Sequence, residues 1–175
     1  VGEVMALGRS FPEALQKAVR MLNIGCHGLT HHPYTFDNPL KEIGRATDRR
    51  LFAIYEVFKH GGTVKKAHKL SKIDPWFLQH IKHIQELEFK LRKEALAKEQ
   101  ILEAKKFGFS DKTFGLLKNL SENIIRRRRI AFGITPIIKQ IDTLAGEFDA
   151  ETNYLYATYH GTKHDVEPLV KNPVV

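Results

Sequence analysis

The sequence predicts a mainly α-helical protein with short extended segments at its two ends. Three observations predict it. Apolar residues recur at i, i+3, i+4 and i+7 through the middle of the chain, residues that cap helices stand at the head of those stretches, and strand-like alternation appears at Tyr154, Tyr156 and Thr158. At 175 residues the chain is long enough for one well-buried core or two small ones.

The elements follow in order. Ser10 and Glu13 form an S-x-x-E capping box with Pro12 in the first turn, and Leu15, Val19 and Leu22 supply an apolar stripe, so a helix runs from about Phe11 to Leu22. Residues 23–39 are rich in Gly, Pro, Asn and Asp and show no period; they read as a linker. From Asp48 the pattern Leu51, Ile54, Tyr55, Phe58 marks a helix that Gly61 and Gly62 stop. Thr63 caps a short helix through Leu70. Asp74 followed by Pro75 is a cap with proline at the first helical position, and Phe77, Ile81, Ile84, Leu87 and Leu91 mark the buried face of the long helix behind it. A further helix covers about Lys98 to Phe107 and ends at Gly108, and Ser110 and Ser121 cap two more. Thr135-Pro136 interrupts helix, and the tail from Glu167 reads as irregular and frayed.

An offset of 47 residues sets Leu70, Ile73, Asp74, Phe77 and Leu78 opposite Leu117, Leu120, Ser121, Ile124 and Ile125. The pattern is helix, turn, capping residue, helix in both, which predicts two similar helix-pair subdomains; chance agreement between two amphipathic pairs is the rival reading.

Bulk properties set bounds. No apolar run approaches the ~18 residues of a membrane span, and the first residues are neither a signal peptide nor a transit segment. Cys26 is the single cysteine, which excludes an internal disulfide and a cysteine zinc cage and fits a reducing, cytoplasmic setting. The net charge of +8 draws polyanions non-specifically, and much of it stands at Arg126, Arg127, Arg128 and Arg129.

Four blocks then carry a resemblance. They are Val1-Gly-Glu-Val-Met-Ala-Leu-Gly-Arg9 with Glu13 to Arg20; Ile73-Asp-Pro-Trp-Phe-Leu78 with Glu88 ten residues on; Ala104-Lys-Lys-Phe-Gly-Phe-Ser-Asp111; and Arg126, Ile134-Thr-Pro136 and Lys139 leading into the tyrosine-rich residues 142–159. In this order they resemble the large chain of carbamoyl-phosphate synthase, at the end of its first synthetase half and the helical connection, or oligomerisation, domain beyond it. The resemblance implies a layout: 1–37 as the end of the carboxyphosphate half, a remnant of an α/β ATP-grasp body, with its linker; 38–159 as the helical domain; 160–175 as the exit linker. It implies a parent ligase making carbamoyl phosphate from bicarbonate, glutamine-derived ammonia and two ATP, for arginine and pyrimidine synthesis. It implies ATP and Mg or Mn in that parent and no cofactor in this piece. The implied partners are the two synthetase halves, a glutaminase subunit or domain, and a second large chain, with no nucleic acid and no membrane. Val1 stands inside a motif, which implies a chain continuing before it.

Site residues are assigned on the same footing. By resemblance Glu3 lies near the route that the carbamate intermediate takes between the two halves, and Asp74, Trp76, Phe77 and Asp142 are structural or interdomain positions. Trp76 and Phe77 read as core of the helix-turn unit, so Trp76→Ala is expected to cost a few kcal/mol. No glycine-rich phosphate loop and no Asp/Glu-x-Asn metal pair occurs, so the piece alone is expected to be inactive, with no catalytic, cofactor or metal residue. His80 and His83 stand at i, i+3 and His27, His31 and His32 crowd one loop, but a zinc site needs a further ligand at defined spacing. Cys26 beside His27 is not a dyad by adjacency. The four arginines, at consecutive positions, spread around more than one helix face, with Glu122 placed to pair with Arg126. The alternative function is a basic helix-turn-helix module binding nucleic acid; its second helices would then need base-reading side chains where Trp76, Phe77, Ile124 and Ile125 stand.

Overall fold

A computed structural model describes residues 3–149 and 154–166. Eight helices and two strands lie in those residues: α1 (Phe11–Met21), α2 (Pro39–Glu42), α3 (Arg50–Lys59), α4 (Val64–Ser71), α5 (Pro75–Lys93), α6 (Lys98–Lys106), α7 (Asp111–Lys118), α8 (Glu122–Ala131), β1 (Ile137–Gln140) and β2 (Leu155–Thr158). The mainly α reading holds, and the predicted caps fall where the sequence places them. Ser10, Thr63, Ser110 and Ser121 accept from the backbone N–H three residues on, and Asp74 accepts from Trp76 N–H. None of the described helices is long and apolar enough to cross a membrane.

Helix α3 is the centre of the core. Phe52, Ala53, Ile54 and Tyr55 are consecutive and all buried, so the helix is covered on every side, with α2 and α5 among its neighbours. Residues 23–39 are irregular, as their composition predicts, yet packed: Leu29 is fully buried, Cys26 nearly so, and Thr113 Oγ1 donates to the His27 carbonyl.

Two expected stripes hold in part, that of α1 at Val19 and that of α5 at Ile81, Ile84, Leu87 and Leu91. On α1 the buried face carries Pro12, Glu13, Gln16 and Val19, and Leu22, one residue beyond the helix, is exposed. On α5 the buried face is Leu78, Ile81, Ile84, Leu87, Glu88 and Leu91. The core reading of Trp76 and Phe77 is therefore corrected: they are 55% and 43% exposed. Successive residues of a helix are about 100° apart, so a first turn that buries Leu78 turns Phe77 and Trp76 away from the same core. The two rings lie on the surface beside Phe11 of α1, whose centroid is 5.4 Å from Trp76 and 5.2 Å from Phe77, and His80 completes the group.

The 47-residue offset extends further than a helix pair. Helices α3 and α6 end at Lys59 and Lys106, and Gly61 and Gly108 come next with φ of 80° and 83°. Thr63 and Ser110 cap the next helices, Lys72 and Asn119 close them in the left-handed conformation, and Asp74 and Ser121 cap the last. The turn bonds repeat too, Gly62 N–H to Val57 C=O at 2.8 Å and Phe109 N–H to Ala104 C=O at 3.0 Å. Two three-helix units, α3–α4–α5 and α6–α7–α8, thus share one backbone course. They differ in the last helix, 19 residues against 10.

The strand expected near Tyr156 is β2, and its partner β1 is a finding that periodicity does not predict. They pair antiparallel with Ile137 opposite Thr158 and Gln140 opposite Leu155. Pro136 precedes β1, where a missing N–H costs the ladder nothing. Residues 150–153, and the tail from Glu167 for which fraying is expected, lie outside the described residues.

Candidate functional site

The residues singled out from sequence serve separate local purposes. Glu3 is exposed in the extended segment before α1. Asp74 Oδ1 accepts from Trp76 N–H at 2.8 Å and starts α5. Asp142 is exposed and its Oδ1 accepts from Leu144 N–H at 2.9 Å, an Asx turn that shapes the loop after β1. Trp76 and Phe77 form the aromatic surface patch. His27 and His31 stack at 5.0 Å and His80 and His83 lie 6.2 Å apart, but among the described residues no three His, Cys, Asp or Glu side chains are placed to hold a metal ion. Cys26 is a buried free thiol, and burial pushes its pKa up, away from the thiolate a nucleophile requires.

What the fold does bring together are buried polar nodes. The first centres on Glu13, 1% exposed. Its Oε2 accepts from Arg9 N–H at 2.8 Å and from Thr158 Oγ1 at 3.0 Å, and its Oε1 accepts from Lys17 Nζ at 2.8 Å. Lys17 Nζ also donates to Leu7 C=O at 2.8 Å and to Ala157 C=O at 2.7 Å. In an ordinary capping box the glutamate would return to the backbone of the capping Ser10; here it reaches one residue further, to Arg9. The turn between α6 and α7 presses on the same place. A Cβ on Gly108 would meet the Glu13 Cα and carbonyl oxygen at 3.0 Å, and Arg20 Nη1 donates to the Gly108 carbonyl at 2.5 Å.

The second node centres on Asp111 at the start of α7. Lys105 Nζ reaches Oδ1 at 2.9 Å, and Arg129 of α8 reaches both carboxylate oxygens at 3.1 to 3.2 Å. Arg129 Nη1 donates to Ile134 C=O at 2.8 Å, fastening the chain as it leaves α8 for β1, and the Tyr159 ring lies under both cations. Burial alone would raise the Asp111 carboxyl, but the Lys105 ammonium and the Arg129 guanidinium outweigh it and hold the group below the usual carboxylate range. The same burial pulls Lys105 below the usual lysine value. A third contact lies within the first unit, where Tyr55 O–H donates to Glu88 and Arg92 pairs with it at 2.6 Å. There burial wins, and the Glu88 carboxyl is raised despite Arg92.

The first two nodes wall a cavity of about 180 Å³ between α1, the α6–α7 turn and β2, lined in part by Lys17, Arg20, Lys105 and Tyr159. Larger clefts of about 490 and 440 Å³ flank the segment around Phe36, Asn38 and Pro39. The larger cleft is bordered by Gly61, Gly62 and Thr63 at the start of α4, but the Gly61 and Gly62 N–H groups donate to the Phe58 and Val57 carbonyls and Lys66 N–H to Thr63 Oγ1, so they are not open to a phosphate. Sequence reasoning singles out the blocks that contain Lys105, Asp111 and Arg129 but not their pairing, and it sees Glu13 only as a cap. A glutamate in a capping box is ordinary; that the exit strand returns to cover it is visible only in three dimensions.

The family described as carbamoyl-phosphate synthetase large chain, oligomerisation domain, matches residues 3–133. The chain belongs to this family. The arginine-specific, mitochondrial carbamoyl phosphate synthase large chain of Neurospora crassa is 44% identical over all of this chain and 15% of its own length. The carbamoyl phosphate synthase large chain of Methanothermobacter thermautotrophicus is 43% identical over 90% of this chain and 15% of its own, and the multifunctional protein CAD of Squalus acanthias 41% over 95% of this chain and 8% of its own. The chain therefore spans between 8% and 15% of the length of these relatives. The oligomerisation-domain match takes in α1 through α8 and ends before β1, so the Glu13–Thr158 bond ties the matched body to the strand pair beyond it.

Proposed function

We propose that this chain is the connecting and self-association segment of a carbamoyl-phosphate synthase large chain, and that it acts by geometry rather than by chemistry of its own. The observation that carries the reading is the family match laid over a helical body on which the segment before α1 and the strand β2 are bound side by side at Glu13. The parent would make carbamoyl phosphate from bicarbonate and glutamine-derived ammonia with two ATP, one phosphoryl group ending in the product and the other released as inorganic phosphate, and a glutaminase subunit or domain would supply the ammonia. The residues present do not fit ATP or its Mg²⁺ or Mn²⁺. Glu13 and Asp111 are already met by cations and hydrogen-bond donors, no three His, Cys, Asp or Glu side chains among the described residues are placed to hold a metal ion, and the glycine pair before α4 has its N–H groups on the Phe58 and Val57 carbonyls. Nucleotide and metal would be held by other parts of the parent.

The proposed layout is 1–37 as the end of the preceding synthetase half, 38–159 as the helical domain and 160–175 as the exit. Glu3, exposed on the leading segment, would face the preceding half and the carbamate route. The patch of Phe11, Trp76, Phe77 and His80 would meet a neighbouring domain, with Asp74 holding the patch in place and Asp142 shaping the exit loop. We assign the parent to the cytoplasm, a setting that suits the free thiol of Cys26 in this chain, and two large-chain relatives carry the word mitochondrial in their names.

The helix-turn-helix alternative loses its main cations. Arg129 is buried on Asp111 and Arg126 pairs with Glu122 at 2.6 Å, leaving Arg127 and Arg128 of the run as its exposed members outside these pairs. The deciding experiment assays the full-length parent and this chain side by side for carbamoyl phosphate from bicarbonate, ammonia and ATP. Product from the parent and none from the chain is expected; turnover by the chain, or none by the parent, overturns the reading. Sedimentation of the parent across a concentration series reads self-association.

A further inference from the structure

The leading segment has little to hold it. Residues 3–8 form no regular element, and Val4, Met5 and Leu7 are 39%, 76% and 39% exposed. Among the described residues its hydrogen bonds to α1 meet at one place: Arg9 N–H on Glu13 and the Leu7 carbonyl on Lys17. Strand β2 arrives at the same two side chains from the other end of the chain, with Thr158 Oγ1 on Glu13 and the Ala157 carbonyl on Lys17. The three protons of the Lys17 ammonium then have one acceptor each, on α1, on the leading segment and on β2. The Arg9 guanidinium also hydrogen-bonds Tyr156, the strand residue two before Thr158, which raises the arginine pKa.

A buried carboxylate is tolerated only where its charge and lone pairs are met. Glu13 is buried and Lys17 partly exposed; the two pair within α1, and their remaining bonds come from the two extended segments. If the leading segment lifts, Lys17 loses one acceptor and Glu13 one donor; if β2 lifts, the same pair loses the same number. Each segment thus stabilises the seat of the other. We propose that Glu13 is a positioning residue, a latch that couples the placement of residues 3–9 to that of β2, so that the parts of the parent before and after this chain are held in one register. The inference rests on the chain being part of such a parent.

The test uses the full-length parent with the substitutions Glu13→Gln, Glu13→Ala and Thr158→Val. Hydrogen exchange is measured in peptides covering residues 3–10, 154–160 and, as an internal control, 122–131. Exchange is expected to rise together in the first two peptides and to stay unchanged in the third. The functional readout is ATP hydrolysed per carbamoyl phosphate formed. In a synthase using two ATP per product, a half that turns over out of step with the other hydrolyses ATP without product, so the ratio is expected to rise severalfold in Glu13→Gln. A merely structural loss lowers both rates and leaves the ratio alone. Loosening of only one of the two segments, a general rise that includes residues 122–131, or an unchanged ratio overturns the latch. Should the Glu13 variants fail to fold, Thr158→Val, which keeps the carboxylate and removes the bond to Glu13 along with the one that His160 N–H makes to the same hydroxyl, decides by the same measures. A wild-type parent that makes no carbamoyl phosphate overturns the functional reading, while the exchange pattern still decides whether the two segments are coupled.

Discussion

Arg129 Nη2 lies 3.1 Å from Asp111 Oδ2, and both side chains are less than a tenth exposed. One arginine of a run of four is thus a structural residue while Arg127 and Arg128 face solvent. Arg129→Leu leaves the buried Asp111 with Lys105 on Oδ1 but takes the hydrogen-bond donors from Oδ2 and from the Ile134 carbonyl, so it is expected to cost up to about 3–5 kcal/mol. Arg127→Ala and Arg128→Ala are expected to stay within about 0.5 kcal/mol of the parent sequence. Urea unfolding of the three variants checks the order. The Asp111 carboxyl, held below its ordinary 3.8, contributes stability above that value that is lost as pH falls through the lower folded value. Arg129→Leu is therefore expected to weaken the acid limb as well as the midpoint.

Lys72 and Asn119 close corresponding helices of the two units with φ of 62° and 54°. A lysine in the left-handed region carries a Cβ clash that glycine lacks, whereas asparagine tolerates it better. Lys72→Gly is expected to stabilise the chain by about 0.5–1 kcal/mol, and Asn119→Gly to change it by less than half of that. Thermal unfolding of the two substitutions reads the difference, and a loss of stability in Lys72→Gly would mean that its side chain matters more than its backbone.

His32 sits with its side chain 4% exposed against Phe52, at 5.1 Å between ring centres, with Tyr34 and Tyr55 beside it. Burial lowers its pKa from 6.5, Glu56 opposes, and Lys59 and His31 add to the lowering. With the folded value below the unfolded one, the unfolded chain binds the extra proton first. The stabilising effect is full above 6.5 and declines as pH falls from there toward the folded value. Glu88 runs the other way. Its raised pKa makes the charged form the costly one in the fold, so that cost is relieved as pH falls through the folded value. His32→Phe, which keeps the aromatic contacts, is expected to flatten the fall in Tm just below 6.5 and leave the deeper acid range, where Glu88 acts, as it was.

Much of this architecture is legible in the sequence because its signals are local. Ser10, Thr63, Asp74, Ser110 and Ser121 each bond within three residues, so the sequence alone places the starts of α1, α4, α5, α7 and α8. The 47-residue repeat is visible for the same reason, since glycine, cap and aliphatic residue stand at fixed offsets. The face of α5 is as the periodicity has it at Ile81, Ile84, Leu87 and Leu91 and differs at its first residue, where Leu78 is buried in place of Phe77. Phe77 and Leu78 are both apolar, and only the packing of Leu78 decides which of them faces in. Strand β1 carries two isoleucines but no alternation over its four residues, and it exists because β2 comes back to pair with it. The Glu13 node depends on Thr158, 145 residues away, and the Asp111 node on Arg129, 18 away; pairings at such range leave no mark on periodicity.

Trp76 gives the sharpest contrast between what the sequence predicts and what the fold does. At 55% exposed, with Phe11 and His80 against it, the indole has only part of its area to lose on unfolding, while Leu78 two residues on is fully buried. Leu78→Ala is expected to cost about 2–5 kcal/mol. Trp76→Ala in this chain is expected to cost about 1 kcal/mol or less, in place of the few kcal/mol that a core position would. In the parent the ranking should change. An aromatic patch of Trp76, Phe77, Phe11 and His80 that is open here and closed by a neighbouring domain would make Trp76 an anchor of that contact, the residue type that most often dominates one. The measurement is the Tm of both variants in this chain and in the parent. A Trp76→Ala effect that is small here and larger there places the indole in a contact between domains, and an equal small effect in both leaves the patch facing solvent.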